Sequence, residues 1–295
     1  MLWFLFALGG AVSQAVYAGM VKHLLTEKQI YPLAGISFLS ASLLLSAIVL
    51  FVGVPVTGPG LLPAVLGTVI INIIATILLY RALSRSDLCL CIPMLAFTPV
   101  FLLVTSFLIL GEVPTPAGAL GMVLVTSGAY ILNLDPVVRG PAALAIPFRR
   151  LFSDRGVQSM LGVAFLFSIS VNFDKQVVEN SDPFFGSVLV FLLLALAFLI
   201  LAALDRRGKK DIVPATPLCL LLAYPAVGFV LVWEIVMINL AYMMAIVPYV
   251  ISVKRLAIVF SVLFGLLIFQ EEFSWGRILG ALIMVAGAGM IAVFG

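Results

Sequence analysis

Glu234, Lys254 and Arg255 are ionisable residues that stand deep inside long apolar runs of this 295-residue chain. A charge in hydrocarbon is costly, so charges retained far from the ends of such runs are the first place to look for chemistry. A turn over 243–247 lies about ten residues from both Glu234 and Lys254. That spacing puts the two at similar depth, ~15 Å in, on neighbouring antiparallel helices. Two readings follow. The charges form a structural ion pair that neutralises itself, or two adjacent cations face one anion and leave a positive charge for a substrate carboxylate or phosphate. Lys254 and Ser261 share one helix face and Arg255 and Ser252 another, so the two cations need not address a single cavity.

Neutral polar residues add a second pattern. Asn72, Thr76 and Tyr80 recur every four residues, Gln14 and Tyr17 fall within the first apolar run, and Asn239, Tyr242 and Tyr249 flank the turn between the charged helices. Such stripes must face protein or water. They are either interhelical hydrogen bonds or the walls of a central cavity. Asp174 and Lys175 lie near the end of a run, where Lys can snorkel, and read as interface anchors, with proton coupling at Asp174 as the alternative. Glu112, Glu271 and Glu272 occupy short loops and read as helix-end contacts; His23 reads as a solvated loop residue. Pro93 and Pro99 would permit the fourth run to bend. Cys89, Cys91 and Cys219 make neither a disulfide framework nor a complete zinc site and read as packing residues. There is no phosphate-binding glycine loop, paired metal-ligand motif or nucleophile elbow, so no catalytic residue, metal or cofactor is expected.

The elements that must position these residues are set by composition. Apolar residues make up 64% of the chain, charged residues 10%, and the mean hydropathy is +1.28, whereas soluble domains carry about 25% charged residues. Apolar runs fall at 2–21, 33–52, 61–83, 88–110 and 116–134, and then at 156–178, 184–204, 217–241, 246–269 and 274–294. Each is close to the roughly 20 residues needed to cross a bilayer, and backbone in lipid must be helical here. The expected fold is an all-α integral membrane protein of ten transmembrane helices. The first run has no Lys or Arg before it and is kept as a span rather than a signal peptide. A five-helix unit over 1–134, a basic connection over 135–155 and a second five-helix unit over 156–295 describe the organisation.

An internal repeat supports that division. Adding 159 to residue numbers from Tyr80 onward aligns Ala82 with Ala241, Phe101 with Phe260, Glu112 with Glu271, Gly121 with Gly280 and Gly128 with Gly287 without a gap. The glycines of each pair are seven apart, nearly two turns, and form a flat strip for close helix packing. An odd number of spans per half forces the two halves to insert upside down relative to each other. Inverted repeats of this kind underlie many alternating-access transporters, with the substrate between the halves.

The stretches "YRALSRSDLCLCIPMLAFTPVFLLVTSFLILGEVPTPAGALGMVLVTSGAYIL" and "SVKRLAIVFSVLFGLLIFQEEFSWGRILGALIMVAGAGMIAV" resemble the drug/metabolite transporter superfamily, specifically its ten-helix members with paired EamA-type domains. Gln270 stands where the usual Gly precedes the second Glu. The resemblance spans essentially the whole chain and implies the fold; substrates in the superfamily range from amino acids to sugar phosphates and drugs, so it does not imply one. The string "SVKR" followed by "VFSV" is similar to the Lys-Arg pair that holds phosphate in plastid sugar-phosphate translocators. That likeness implies an anionic or zwitterionic substrate.

Basic residues are retained in cytoplasmic loops. Counted from the N-terminus, the odd loops hold Lys22, Lys28, Arg81, Arg85, Arg139, Arg149, Arg150, Arg155, Arg206, Arg207, Lys209 and Lys210, whereas among the even loops only Lys175 is a candidate. Many relatives carry a basic second loop and termini inside, but residues 53–60 here have no charge. The expectation is a multi-pass protein of the cell or inner membrane with both termini extracellular or periplasmic. The net charge of +3 calls for no nucleic-acid partner, since loop cations near anionic lipid explain it. The expected function is secondary transport of a small polar metabolite by alternating access, with proton or counter-substrate coupling open to it. The alternative is a lipid or lipid-linked-sugar flippase.

Overall fold

A computed structural model describes residues 1–24, 30–83, 94–134, 153–205, 218–268 and 275–295. Cys89, Cys91, Pro93, Glu271, Glu272 and positions 135–152 of the expected connection lie outside the described residues, as do the side chains of His23, Tyr80 and Cys219. The described chain is all-α, the form in which a segment crossing hydrocarbon bonds its own N–H and C=O groups. The first half comprises α1 (Leu2–Leu24), α2 (Ile30–Val52), α3 (Leu61–Leu83), α4 (Thr98–Leu110) and α5 (Pro116–Leu132). The second comprises α6 (Arg155–Glu179), α7 (Phe185–Leu204), α8 (Leu218–Tyr242), α9 (Val247–Lys254), α10 (Ala257–Ile268) and α11 (Trp275–Phe294). Since α9 and α10 are segments of one span, the helices make ten crossings. Eight are long and apolar enough to cross a membrane, and α4 and α5 are shorter apolar helices.

Local chemistry fixes the described helix ends. Gly111 closes α4 in a left-handed conformation, φ +71°, and its N–H donates to Phe107 O at 3.0 Å. Thr115 caps α5 by accepting from Gly118 N at 3.0 Å, with Pro116 at the first helical position. Asp154 caps α6 by accepting from Gly156 N at 2.8 Å. Pro99 lies in the first turn of α4, where no backbone N–H is missed, so it starts that helix rather than bending it.

The principal helix pairs all join one half to the other: α5 with α11, α3 with α6, α2 with α7, and α1 with α8. This is the arrangement of an inverted repeat about a pseudo-twofold axis. The symmetry maps α3 with α6 onto α8 with α1, and maps the α5–α11 and α2–α7 pairs onto themselves. The glycine strips meet each other across the α5–α11 contact. A Cβ on Gly128 would lie 2.6 Å from Gly280 O, and one on Gly121 would lie 2.8 Å from Gly287 O. The antiparallel backbones therefore touch at two places that exchange under the 159-residue shift.

The sequence reads spans four and nine as continuous, but both are interrupted. Residues 96–97 and 255–256 are turns, and adding 159 carries one pair onto the other. Phe97 N donates to Met94 O at 3.2 Å and Leu256 N to Val253 O at 2.9 Å, the shorter-range bonds that tighten a helix locally. No Pro or Gly occupies either turn. The break is thus a property of the repeat, and in the second half it falls at Arg255.

Because backbone oxygen opposes each glycine of the strips, Gly128→Ala and Gly287→Ala force the α5 and α11 helices apart. Each is expected to destabilise the detergent-purified protein by about 1–3 kcal/mol. Gly289→Ala, whose Cβ meets nothing within 4 Å, should leave the melting temperature unchanged. Thermal unfolding of the three variants checks this; equal melting temperatures would show that the strips do not govern packing.

Candidate functional site

Glu234 stands two turns before the end of α8, and Lys254 ends α9 two turns after the connection, which places both about 11 Å from that turn. Their side chains meet: Lys254 Nζ lies 2.7 Å from Glu234 Oε1. The other carboxylate oxygen, Oε2, is buried with no hydrogen-bond partner. Arg255 follows in the break between α9 and α10, and its Nε is likewise buried and unpartnered. Among the described residues the side chain of Arg255 makes no hydrogen bond or ion pair. Unmet hydrogen-bonding capacity in a low-dielectric interior is expensive, and here a donor cation and a carboxylate oxygen carry it together.

The repeat shows that this chemistry occurs once. Subtracting 159 from Lys254 and Arg255 gives Leu95 and Ala96, and from Glu234 gives Ala75, which is fully buried. The two halves share a break in the same helix, but the described charges at it belong to the second.

A second polar cluster joins α3 to α6. Asn72 Nδ2 donates to Ser170 Oγ at 2.6 Å and to Thr68 O at 2.9 Å; Thr68 Oγ1 donates to Asp174 Oδ1 and lies 2.8 Å from Ser170 Oγ. Asp174 was expected at the interface as an anchor. It instead faces inward, acting electrostatically on Lys254 and on Tyr242. Asp174 is thus a second carboxylate, besides Glu234, that acts on Lys254. The signal available in the sequence was the four-residue spacing Ser170 to Asp174, matched by Thr68 to Asn72 on the facing helix. Asp174, Ser187, Ile235 and Asn239 line part of a small cavity of about 20 Å³, room for one water-sized group, between α6, α7 and α8.

The remaining candidates divide. Asn239 is buried and donates to Pro183 O at 2.7 Å and to Ser187 Oγ at 2.8 Å. Tyr242 is buried beside Asp174, Glu112 and Glu234. Thr76 and Gln14 are half-buried, and Tyr17 packs toward α2 and α7. Tyr249 is held away from the charges: its hydroxyl accepts from Thr115 N at 2.7 Å, and its ring stacks on Trp3 at 6.3 Å. Ser261 is exposed, because the break before α10 rotates it off the face it would share with Lys254 on an unbroken helix.

Among the described residues, several contacts join the halves at the face holding the even-numbered connections. Glu112 accepts from Ser106 Oγ at 2.7 Å and from Val247 N, the first amide of α9, at 2.8 Å, and it pairs with Lys175. A carboxylate is well placed at a helix N-terminus. Lys175, expected to snorkel, is turned inward because Glu112 and Ala245 O both accept from it. Gly58 N donates to Asn180 O at 2.7 Å, and Thr115 Oγ1 donates to Phe294 O at 2.8 Å.

With this geometry established, comparison with known proteins places the chain. No curated protein matches it. A solved structure, described only as the crystal structure of a protein, superposes with a TM-score of 0.76 at 15% identity, covering 98% of this chain and 95% of that one. At that identity the likeness shows the fold. The family model of EamA-like transporters matches residues 1–134 and 154–293. Helices of membrane-crossing length, inverted halves and that match over nearly the whole length lead to one conclusion: this multi-pass membrane protein belongs to the EamA-like transporter family.

Proposed function

We propose that the protein is a secondary carrier that moves a small anionic or zwitterionic metabolite by alternating access, holding the anionic group at Lys254 and Arg255 beside Glu234. The observation that carries this reading is the buried, unpartnered Nε of Arg255, which follows Lys254 at a helix break, together with the Lys254–Glu234 pair and its unpartnered Glu234 Oε2. A substrate carboxylate or phosphate would supply the missing acceptor in a two-pronged geometry suited to arginine. The discontinuous helix brings the cation to the interior, as broken spans do in other carriers built from inverted repeats. The repeat units are taken as 1–134 and 156–295, joined through 135–155. Asn72, Thr76, Tyr80, Gln14, Tyr17, Asn239, Tyr242 and Tyr249 complete the proposed set of polar side chains around the path, with Tyr249 contributing through its contact with Thr115. In this conformation the pair of Glu112 with Lys175 latches the halves together at the even-numbered face. Alternating access requires that latch to open. The loop charges place that face, with both termini, outside the cell or inner membrane.

Arg255 and Lys254 separate the binding role from a structural one. Arg255→Gln removes a charge with no partner, so it should keep or raise the melting temperature while abolishing the thermal shift given by whichever members of an anionic-metabolite panel stabilise the native protein. Lys254→Gln strands Glu234 and should cost roughly 3–5 kcal/mol, with Glu234→Gln plus Lys254→Gln restoring stability. Wild-type binding by Arg255→Gln would remove the anion site from this account.

Orientation is checked by C-terminal fusions. Active alkaline phosphatase together with a dark fluorescent protein is expected; a bright fluorescent protein with inactive phosphatase reverses the assignment. For the latch, Lys175→Met should raise the rate at which an impermeant maleimide, added from the even-numbered face, labels a cysteine placed at Ser187 in a background lacking the native cysteines. An unchanged rate would show that the Glu112–Lys175 pair does not hold that face shut.

A further inference from the structure

Asp174 differs from Glu112 and Glu234 in the kind of group that answers it. Glu112 meets a backbone amide and an ammonium besides a serine, and Glu234 meets the ammonium of Lys254. Amide and ammonium only donate, and a protonated carboxyl would have no acceptor among them. Asp174 makes no ion pair among the described residues, and its one described donor is the hydroxyl of Thr68. Thr68 Oγ1 in turn lies 2.8 Å from Ser170 Oγ, and either hydroxyl can be the donor of that bond. Turning two O–H bonds therefore serves both forms of Asp174 without moving a heavy atom. Charged, it accepts from Thr68; protonated, it donates to Thr68, which then donates to Ser170. Thr68 and Ser170 are buried, whereas Asp174 is half-buried and lines, with Ser187 and Asn239, the cavity that has room for one water-sized group. That room is enough to deliver a proton and too little for a hydrated ion. Of the charged and titratable groups around Asp174, Lys254 of α9 acts on it, and it acts on Tyr242 of α8, which Glu234 and Glu112 also reach. On α6 itself Lys175 is paired with Glu112 and Glu179, and the described side chains of α3 and all those of α7 are uncharged.

We propose that Asp174 is the proton-binding residue of a proton-coupled carrier, taking up one proton with each anion bound and releasing it when the anion leaves. The inference rests on the carrier reading and adds the coupling ion to it. Lys254 is the link. Glu234 holds it at 2.7 Å and Asp174 acts on it from α6, so two carboxylates compete with a substrate anion for one ammonium. A proton on Asp174 removes one competitor. It also offsets the negative charge that the anion brings into a medium where net charge is costly. By linkage the converse holds, and a bound anion strengthens proton uptake by the same factor. The proton comes from water on the side to which the site is open and forms an O–H bond at the Asp174 carboxylate. It returns to water on the other side once the halves have rocked and the anion has left. Each cycle thus carries one anion and one proton in the same direction.

The test takes purified full-length protein between about pH 6 and about pH 9 and follows it first by infrared difference spectroscopy. A carboxylic-acid carbonyl band that titrates in the native protein should be missing in Asp174→Asn and present, at a shifted frequency, in Asp174→Glu. Calorimetry then measures the binding of propionate, glutamate and sulfate, whose charges stay constant over that range, in two buffers of different ionisation enthalpy. Each probe that binds should carry about one proton into the native protein, and its affinity should fall by up to about tenfold per pH unit as the pH rises through the midpoint of the band. Asp174→Asn, neutral at every pH, should bind the same probe tightly across the range with no proton taken up. Three results overturn the proton site while the anion site stands: native protein that binds a probe without proton uptake, uptake that persists in Asp174→Asn, or a carbonyl band that Asp174→Asn leaves in place. The first of these needs no variant, so it holds even where a substitution unfolds the protein. Should Arg255→Gln leave probe affinity unchanged while proton uptake still depends on Asp174, the proton site stands and the anion site at Arg255 falls. Silence of all three probes overturns both.

Discussion

Backbone contact between α5 and α11 is the constraint from which the rest of the arrangement follows. Lipid offers no hydrophobic drive to bring helices together, because its chains are as apolar as the side chains they would replace. Association must come from close packing and hydrogen bonds. Four glycines in two strips let the last helix of each half lie backbone to backbone, and a side chain at any of them would strike carbonyl oxygen or main-chain nitrogen. Once these helices cross antiparallel, the pseudo-twofold axis is set, and α3 must meet α6 where α1 meets α8. The halves are therefore interleaved rather than merely adjacent. A movement of one against the other acts on helix pairs contributed by both.

Onto that symmetric frame the sequence places an asymmetric site. Both halves interrupt their fourth helix at equivalent turns, and in the first half the positions preceding and opening the break are Leu95 and Ala96. In the second half they are Lys254 and Arg255, with Glu234 where the first half has a buried alanine. The repeat thus supplies a tightened backbone near the middle of the membrane, and divergence between the halves supplies the charge. The asymmetry puts the described charges in one place. Thr68, Asn72, Ser170 and Asp174 satisfy one another, the general requirement in a medium without water, whereas Ser37 Oγ, Thr126 Oγ1 and Asn172 Oδ1 are buried without a partner. Among the charged groups, Arg255 Nε and Glu234 Oε2 are the buried atoms left without a partner among the described residues.

The ion pair of Lys175 with Glu112 differs from that of Lys254 with Glu234 in its surroundings. Glu112 has both oxygens engaged, by a serine, a lysine and the first amide of α9, so its charge is fully answered within the protein. Glu234 keeps one oxygen free. The first arrangement suits a contact that holds two bodies together, the second a group that still has capacity to respond to a ligand.

Read alone, the sequence determined the class, the count of spans, the inverted repeat and the shared depth of Glu234 and Lys254. Each rests on periodicity or on distance along a helix, and in a bilayer helix length and direction are nearly forced. The glycine spacing likewise announced close packing, though not that the two strips face each other. Tertiary structure decided what depends on rotation about a helix axis and on which helix stands opposite. Asp174 and Lys175 are neighbours in sequence near the end of one helix, yet one turns into a cavity and the other across to Glu112, a difference invisible to any measure of depth. Tyr249 was counted with the cavity residues because it follows the turn, but Thr115 and Trp3 claim it. The turn at 255–256 has no Pro or Gly to announce it, whereas Pro99 closely follows the turn at 96–97; beyond the second turn Ser261 is exposed, while Arg255 within it is half-buried. Depth is a property of the chain, whereas facing is a property of the pair of helices, and only the folded protein specifies the pair.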